Sequence, residues 1–224
     1  MTTRSLAGYL IAIGPILMMA IFIGVWDSVI GGAEDGAVGE ALVKANIEAG
    51  LENISLTKLV AFLAFGGFFG MMLGLTLWAR SLRGEGKKGA SLATVASIVI
   101  PVAAASFMLS MDFNFAAADA WDKGDTGNAL IVGAVAEYAP SDLLGMVMML
   151  SVSFIGLAAV LQSTDKISRS LVAILAVFSL AMFLLSFTSI DGGPIWMLWM
   201  LTIVAAGVNL IRLGAGSLSS PPRA

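Results

Sequence analysis

The sequence predicts an all-α integral membrane helical bundle that crosses the bilayer about six times, and three observations carry that expectation. Of its residues, 58% are hydrophobic and 12% charged, whereas a soluble domain carries about 25% charged residues. Mean hydropathy is +0.95. The apolar residues fall in long runs rather than at alternating or helical spacing, so lipid is the solvent that most of the chain matches. The whole chain, residues 1–224, reads as a single transmembrane domain.

Six segments are long and apolar enough to span about 30 Å of hydrocarbon. They run approximately over Leu6–Trp26, Leu56–Trp78, Ala90–Met111, Asp142–Leu161, Ser170–Thr188 and Ile195–Ile211. The first follows Arg4 but exceeds a secretory signal core, and no small-x-small cleavage site precedes Trp26, so a retained helix is expected. Pro15 in the first span and Pro101 in the third each remove an intrahelical hydrogen bond and are expected to kink their helices. Neighbouring groups satisfy the freed carbonyls in most such helices, and coordination of a cation or substrate is the alternative. In the second span Gly66, Gly70 and Gly74 recur every four residues. Such a stripe lets another backbone approach closely, either within the chain or in a second copy.

The connections alternate in character. Two are long and acidic (27–55 and 112–141), and two are short and basic (79–89 and 162–169). Within the first long connection a helix is expected over about residues 38–54. Glu40, Lys44, Glu48 and Glu52 form a charged stripe, with Glu40 placed to pair with Lys44 and with Val38, Ala41, Leu42, Ala45 and Ala49 assigned to the other side. This amphipathic helix either lies on the outer membrane face, the simpler reading, or covers a binding cavity.

Charge sets the orientation. With both termini and both basic loops on one side, that side holds nine of the twelve Lys and Arg, namely Arg4, Arg80, Arg83, Lys87, Lys88, Lys166, Arg169, Arg212 and Arg223. Only Glu85 and Asp165 oppose them, so the sides carry +7 and −10, together the −3 of the chain. Positive residues are retained in the cytoplasm, which puts both termini there in a multi-pass protein of the cell membrane. Trp26, Trp196 and Trp199 near outer ends, with Trp78 and Tyr9 near inner ends, fit aromatic belts at the headgroups.

A tandem of three helical hairpins is a further reading. The inward-running helices share Gly74-Leu75-Thr76-Leu77, Gly156-Leu157-Ala158-Ala159 and Gly207-Val208-Asn209-Leu210, while the outward-running ones end near Asp27, Asp112 and Asp191. Those acids, with Asn114 beside Phe113, form a candidate acidic outer vestibule for cations, although solvated helix ends explain them as simply.

The chemistry that the sequence excludes is broad. It has no Cys and no His, which removes disulfides, thiolates, the commonest general base and most metal or haem ligation, so no cofactor and no metal site is expected. The six spans hold no mid-membrane acid or base, which argues against a coupled ion pump and against a retinal Schiff base. The basic residues flank spans in short loops and suit anionic lipid headgroups rather than nucleic acid.

The Gly8-Tyr9-Leu10 start, the long first outer loop and the six-span layout loosely resemble uncharacterised bacterial and archaeal membrane families known only as domains of unknown function. That resemblance implies a layout and no activity, cofactor or site residue. The residues themselves favour a non-enzymatic membrane scaffold or accessory subunit, with membrane lipids and a second copy or another membrane protein as partners. A small transporter or channel for a solute or cation is the alternative, and a lipid-acting membrane enzyme ranks last for want of a nucleophile–base pair.

Overall fold

A computed structural model describes residues 2–26, 37–138, 141–188 and 193–216, and within them every regular element is an α-helix. Eight are present: α1 (Thr3–Gly24), α2 (Glu40–Glu52), α3 (Ile54–Ser81), α4 (Ala90–Asp122), α5 (Thr126–Tyr138), α6 (Ser141–Gln162), α7 (Lys166–Leu185) and α8 (Gly193–Gly216). Six of them, all but α2 and α5, are long and apolar enough to cross a membrane. All-helical backbone suits such a sequence because each peptide group finds its partner inside its own segment.

The second long connection is not a loop. Helix α4 continues unbroken to Asp122, so Asp112 and Asn114 sit inside a 33-residue helix rather than beyond its end. An alanine-rich stretch, Ala116-Ala117-Ala118, favours the helical state. Near the helix end Lys123 Nζ lies 2.6 Å from Asp119 Oδ2, one turn back. That carboxylate's hydrogen bond, then its charge, raises the Lys123 pKa above the ordinary value. Gly124, at φ 80°, turns the chain. Asp125 then receives the Asn128 amide at 3.4 Å at the start of α5.

Helix α2 falls within the expected 38–54 window, but its contacts differ from the expected ones. Val43 and Ile47 are its buried residues, whereas Ala41 is exposed. At about 100° per residue the charged positions sweep an arc that already includes Ala41, and residues 43, 46, 47 and 50 lie outside it. Lys44 pairs forward with Glu48 at 3.8 Å rather than back with Glu40.

The chain groups into two compact units. The first comprises Met1–Ile16, Gly67–Ala104 and Gly145–Ala224, and the second Leu17–Gly66 and Ala105–Leu144. Helices α1, α3 and α4 pass between units close to Pro15, at Gly66-Gly67 and shortly after Pro101 respectively.

In the first unit backbones approach closely at glycine. A side-chain carbon on Gly8 would lie 2.7 Å from the Gly207 carbonyl, and one on Gly207 would lie 2.7 Å from the Ala12 amide, so α1 and α8 meet without side chains between them. Gly14 against Gly67, and Gly74 against the Ala7 carbonyl, bring α1 and α3 together in the same way. Gly156 does so against Ala176 of α7. The three hairpin-end glycines, 74, 156 and 207, therefore each occupy a close helix–helix approach. The Gly66-Gly70-Gly74 stripe narrows accordingly. Gly74 is tightly packed, Gly70 touches Leu10 at ordinary distance, and Gly66 has no such neighbour among the described residues.

Two tryptophans expected in aromatic belts are core residues instead. Trp199 is fully buried and Trp78 nearly so. Trp199 Nε1 donates to Ser179 Oγ at 2.8 Å across α7 and α8, which satisfies the indole without water. Tyr9 is exposed.

Gly8→Ala is expected to destabilise the protein by about 1–3 kcal/mol, because backbone atoms rather than pliable side chains must move. Gly66→Ala should be neutral or stabilising by up to about 1 kcal/mol, since helix propensity improves and nothing is displaced. Denaturant titration in matched micelles reads both, and equal losses in the two variants would contradict the assignment of the seam.

Candidate functional site

The strongest candidate site is a cavity of about 410 Å³ contained wholly within the second unit. Such a volume falls in the range of small-molecule sites, roughly 300–1,000 Å³. Its walls come from α1, α2, α3, α4 and α5 together with Trp26. The geometry begins with two packing clusters. In one, Val43 and Ile47 of α2 pack with Ala117 of α4 and Ala129 of α5. Gly133 of α5 lies where a side-chain carbon would come 2.6 Å from Val43 Cγ1, so these helices approach tightly there. In the other, Ile21, Val60, Ala61, Ala64 and Phe65 form a core joined by Phe22, Trp26 and Phe107.

Aromatic rings dominate one part of the lining. Phe22 and Trp26 stack at 4.7 Å with a 31° tilt. Phe65 meets Phe22 edge-on at 6.5 Å and lies 6.3 Å from Phe107. These are favourable ring geometries, and they fix a rigid apolar wall. Phe115 adds a fifth ring to the lining.

Four polar side chains interrupt it: Asn46, Thr57, Asn114 and Glu137. Asn46 Nδ2 donates to Glu137 Oε2 at 3.3 Å, joining α2 to α5 at the exposed rim. Thr57 is 6% exposed. Its Oγ1 is buried with no hydrogen-bond partner, the one such side-chain atom among the described residues. An unmet buried hydroxyl costs about 1–3 kcal/mol. Thr57 also lines the cavity, but its hydroxyl oxygen has almost no accessible surface, so the space does not reach that atom.

Of the sequence-predicted vestibule, Asn114 lines this cavity, whereas Asp112 is exposed and does not line it. Asp27 and Asp191 lie outside the described residues. Pro15 is fully buried within α1, and Pro101 is exposed within α4. Thr57, Asn46 and Glu137 carry no motif and were invisible to pattern reading. The available signal was the period of α2, whose face at 43, 46, 47 and 50 meets the cavity. Among the described residues no three His, Cys, Asp or Glu side chains are grouped to hold a metal.

The first unit holds a smaller polar recess of about 200 Å³, lined by Arg4, Gln162, Asp165, Ser168 and Asn209 among others. Asp165, Ser168, Asn209 and Gln162 are each hydrogen-bonded within the protein. Asp165 caps α7 by accepting from the Ser168 amide at 2.9 Å and from Ser168 Oγ at 2.7 Å. Arg212 Nη2 reaches Asp165 Oδ2 at 2.8 Å and Asn209 Oδ1 at 3.0 Å. Gln162 Nε2 donates to the Leu82 and Lys88 carbonyls at 2.9 and 3.0 Å. This clasp ties the ends of α6, α7 and α8 to the 82–88 connection. The bonds from Ser168, aided by Arg212, hold the Asp165 carboxyl below its ordinary pKa.

No family model, curated protein or solved structure matches the chain.

Two outcomes follow from these groups. Thr57→Val keeps the shape and removes the unmet hydroxyl, so the unliganded variant should be more stable by about 1 kcal/mol. A loss of stability in thermal unfolding would mean that the hydroxyl is already satisfied. For Asp165 the folded pKa is depressed, so its stabilising contribution is complete above the ordinary value of 3.8 and is lost as pH falls through the lower folded value. Asp165→Asn should therefore flatten the acid limb of the unfolding temperature against pH, and an unchanged limb would show that the clasp does not contribute.

Proposed function

We propose that this chain is a non-enzymatic multi-pass protein of the cell membrane, with both termini cytoplasmic, that holds a small amphipathic molecule in a cavity on the outer side. Six helices long enough to cross a bilayer support the membrane assignment. The +7 and −10 division of charge between the two sets of connections supports the orientation. On that orientation α2, the α4–α5 turn and the cavity rim belong to the outer side.

One observation carries the binding reading: a cavity of ligand size walled by aromatic rings and rimmed by the Asn46–Glu137 pair. Helix α2 supports the lid reading of the first long connection, because its buried residues pack against protein. Among the described residues the lining contains no Cys, His, Lys or Arg and no serine, and its one carboxylate, Glu137, is joined to Asn46, which favours recognition over catalysis. An accessory or sensing subunit that reports an outer ligand to a membrane partner or a second copy fits this chemistry. Cation transport rests on Asp27, Asp112 and Asp191 alone, and the cavity gives it no support.

The absence of native cysteine makes a direct test clean. Gly50 lines the cavity and has open space where a side-chain carbon would stand. In sealed right-side-out vesicles, Gly50→Cys is expected to react with a membrane-impermeant maleimide, and 2-naphthylmethanol should slow that reaction. Lys87→Cys should react only after permeabilisation, without protection. The opposite sidedness would overturn the orientation, and labelling of Gly50→Cys that the alcohol does not slow would overturn the cavity's role.

A further inference from the structure

The donors and acceptors lining the second unit's cavity restrict what can occupy it, and this restriction rests on the binding reading above. Among the described lining residues there is no cation, and the one ionisable side chain is Glu137. A phosphate or carboxylate head would thus meet like charge with no counter-charge. Asn46 has already spent one amide hydrogen on Glu137. What remains at that end is the second Asn46 amide hydrogen, the Asn46 carbonyl oxygen and the lone pairs of the Glu137 carboxylate, so acceptor sites outnumber donors. A molecule that satisfies this set must bring hydrogens.

The rest of the wall selects the body. Phe22, Trp26, Phe65 and Phe107 hold one another at fixed angles. A compact apolar ring fits against them at little entropic cost, and their faces attract a cation. We infer that the cavity takes an amphiphile with a compact apolar ring or branched body and an uncharged or cationic head that donates hydrogen bonds, a hydroxyl or an ammonium, to Asn46 and Glu137. Its head sits toward the Asn46–Glu137 rim and its body against the rings.

The test uses the full chain in neutral-detergent micelles, titrated calorimetrically against three probes of one body and different heads. These are 2-naphthylmethanol, 2-naphthylmethylammonium and 2-naphthoate, with empty micelles as the blank. The alcohol and the ammonium should bind saturably, and the carboxylate about fivefold more weakly or worse, the size expected of one nearby like charge in a wet setting. Glu137→Gln should close most of that gap, because the amide removes the charge that repels the carboxylate. Carboxylate binding equal to the other two, or a gap that Glu137→Gln leaves intact, would overturn the ligand class while the cavity reading stood. No saturable binding of any probe would overturn the cavity reading itself.

Discussion

Where α1 and α8 meet at Gly8 and Gly207, the two backbones come so close that a side-chain carbon on either residue would collide with peptide atoms. For helices packed in lipid, the setting proposed for this chain, such a contact matters most, because apolar side chains gain little by leaving hydrocarbon for one another. Dispersion between closely fitted backbones has to supply the cohesion instead. The first unit repeats the device at Gly14 with Gly67, at Gly74 with Ala7, and at Gly156 with Ala176. Once those approaches exist, the few buried polar groups are brought within reach of partners. Ser179 receives the Trp199 indole, and Asn209 receives Ser168 and Arg212. The clasp at the ends of α6, α7 and α8 follows from that packing rather than causing it.

The second unit is built differently. One tight approach, Gly133 against Val43, secures α5 to α2, while bulky rings from α1, α3 and α4 fill the remainder. Large planar groups meeting at 31° to 83° do not close a space as glycine seams do. A cavity lined by rings is the natural product of such a wall, and its polar rim comes from α2 and α5. Packing style thus separates a unit that is held together by backbone fit from one that leaves room for an occupant.

Much of this was legible in the sequence, and the limits have physical causes. The six long helices follow from apolar length, because a lipid-matched run has one way to satisfy its peptide groups. Extension of α4 to Asp122 was not legible from hydropathy, which falls at Asp112 although the helix does not end there. Helix propensity and the Asp119–Lys123 pair, rather than apolarity, carry it onward. Trp199 looked like a belt residue because its position along the segment is terminal, yet Ser179 lies opposite it on α7 and gives the indole a dry partner. The cavity was the least legible feature. Thr57, Asn46 and Glu137 are separated by up to 91 positions and share no motif, so only the three-dimensional meeting of α2, α3 and α5 makes them one site.

The contrast between buried hydroxyls sets Thr57 apart. Ser168, Ser179 and Thr76 are all buried, and each has a protein partner between 2.7 and 3.1 Å. Thr57 departs from that pattern, since its hydroxyl oxygen is buried without a partner and is closed off from the neighbouring cavity as well. That unmet bond is a cost carried by the packing of α3, and it does not call for a guest. The case for an occupant rests on the wall instead. Water filling the cavity would have to wet five aromatic side chains that offer it almost no hydrogen bonds, and an apolar wall of that kind holds water poorly. A guest with a ring for that wall and a donor head for the Asn46–Glu137 rim meets both surfaces at once.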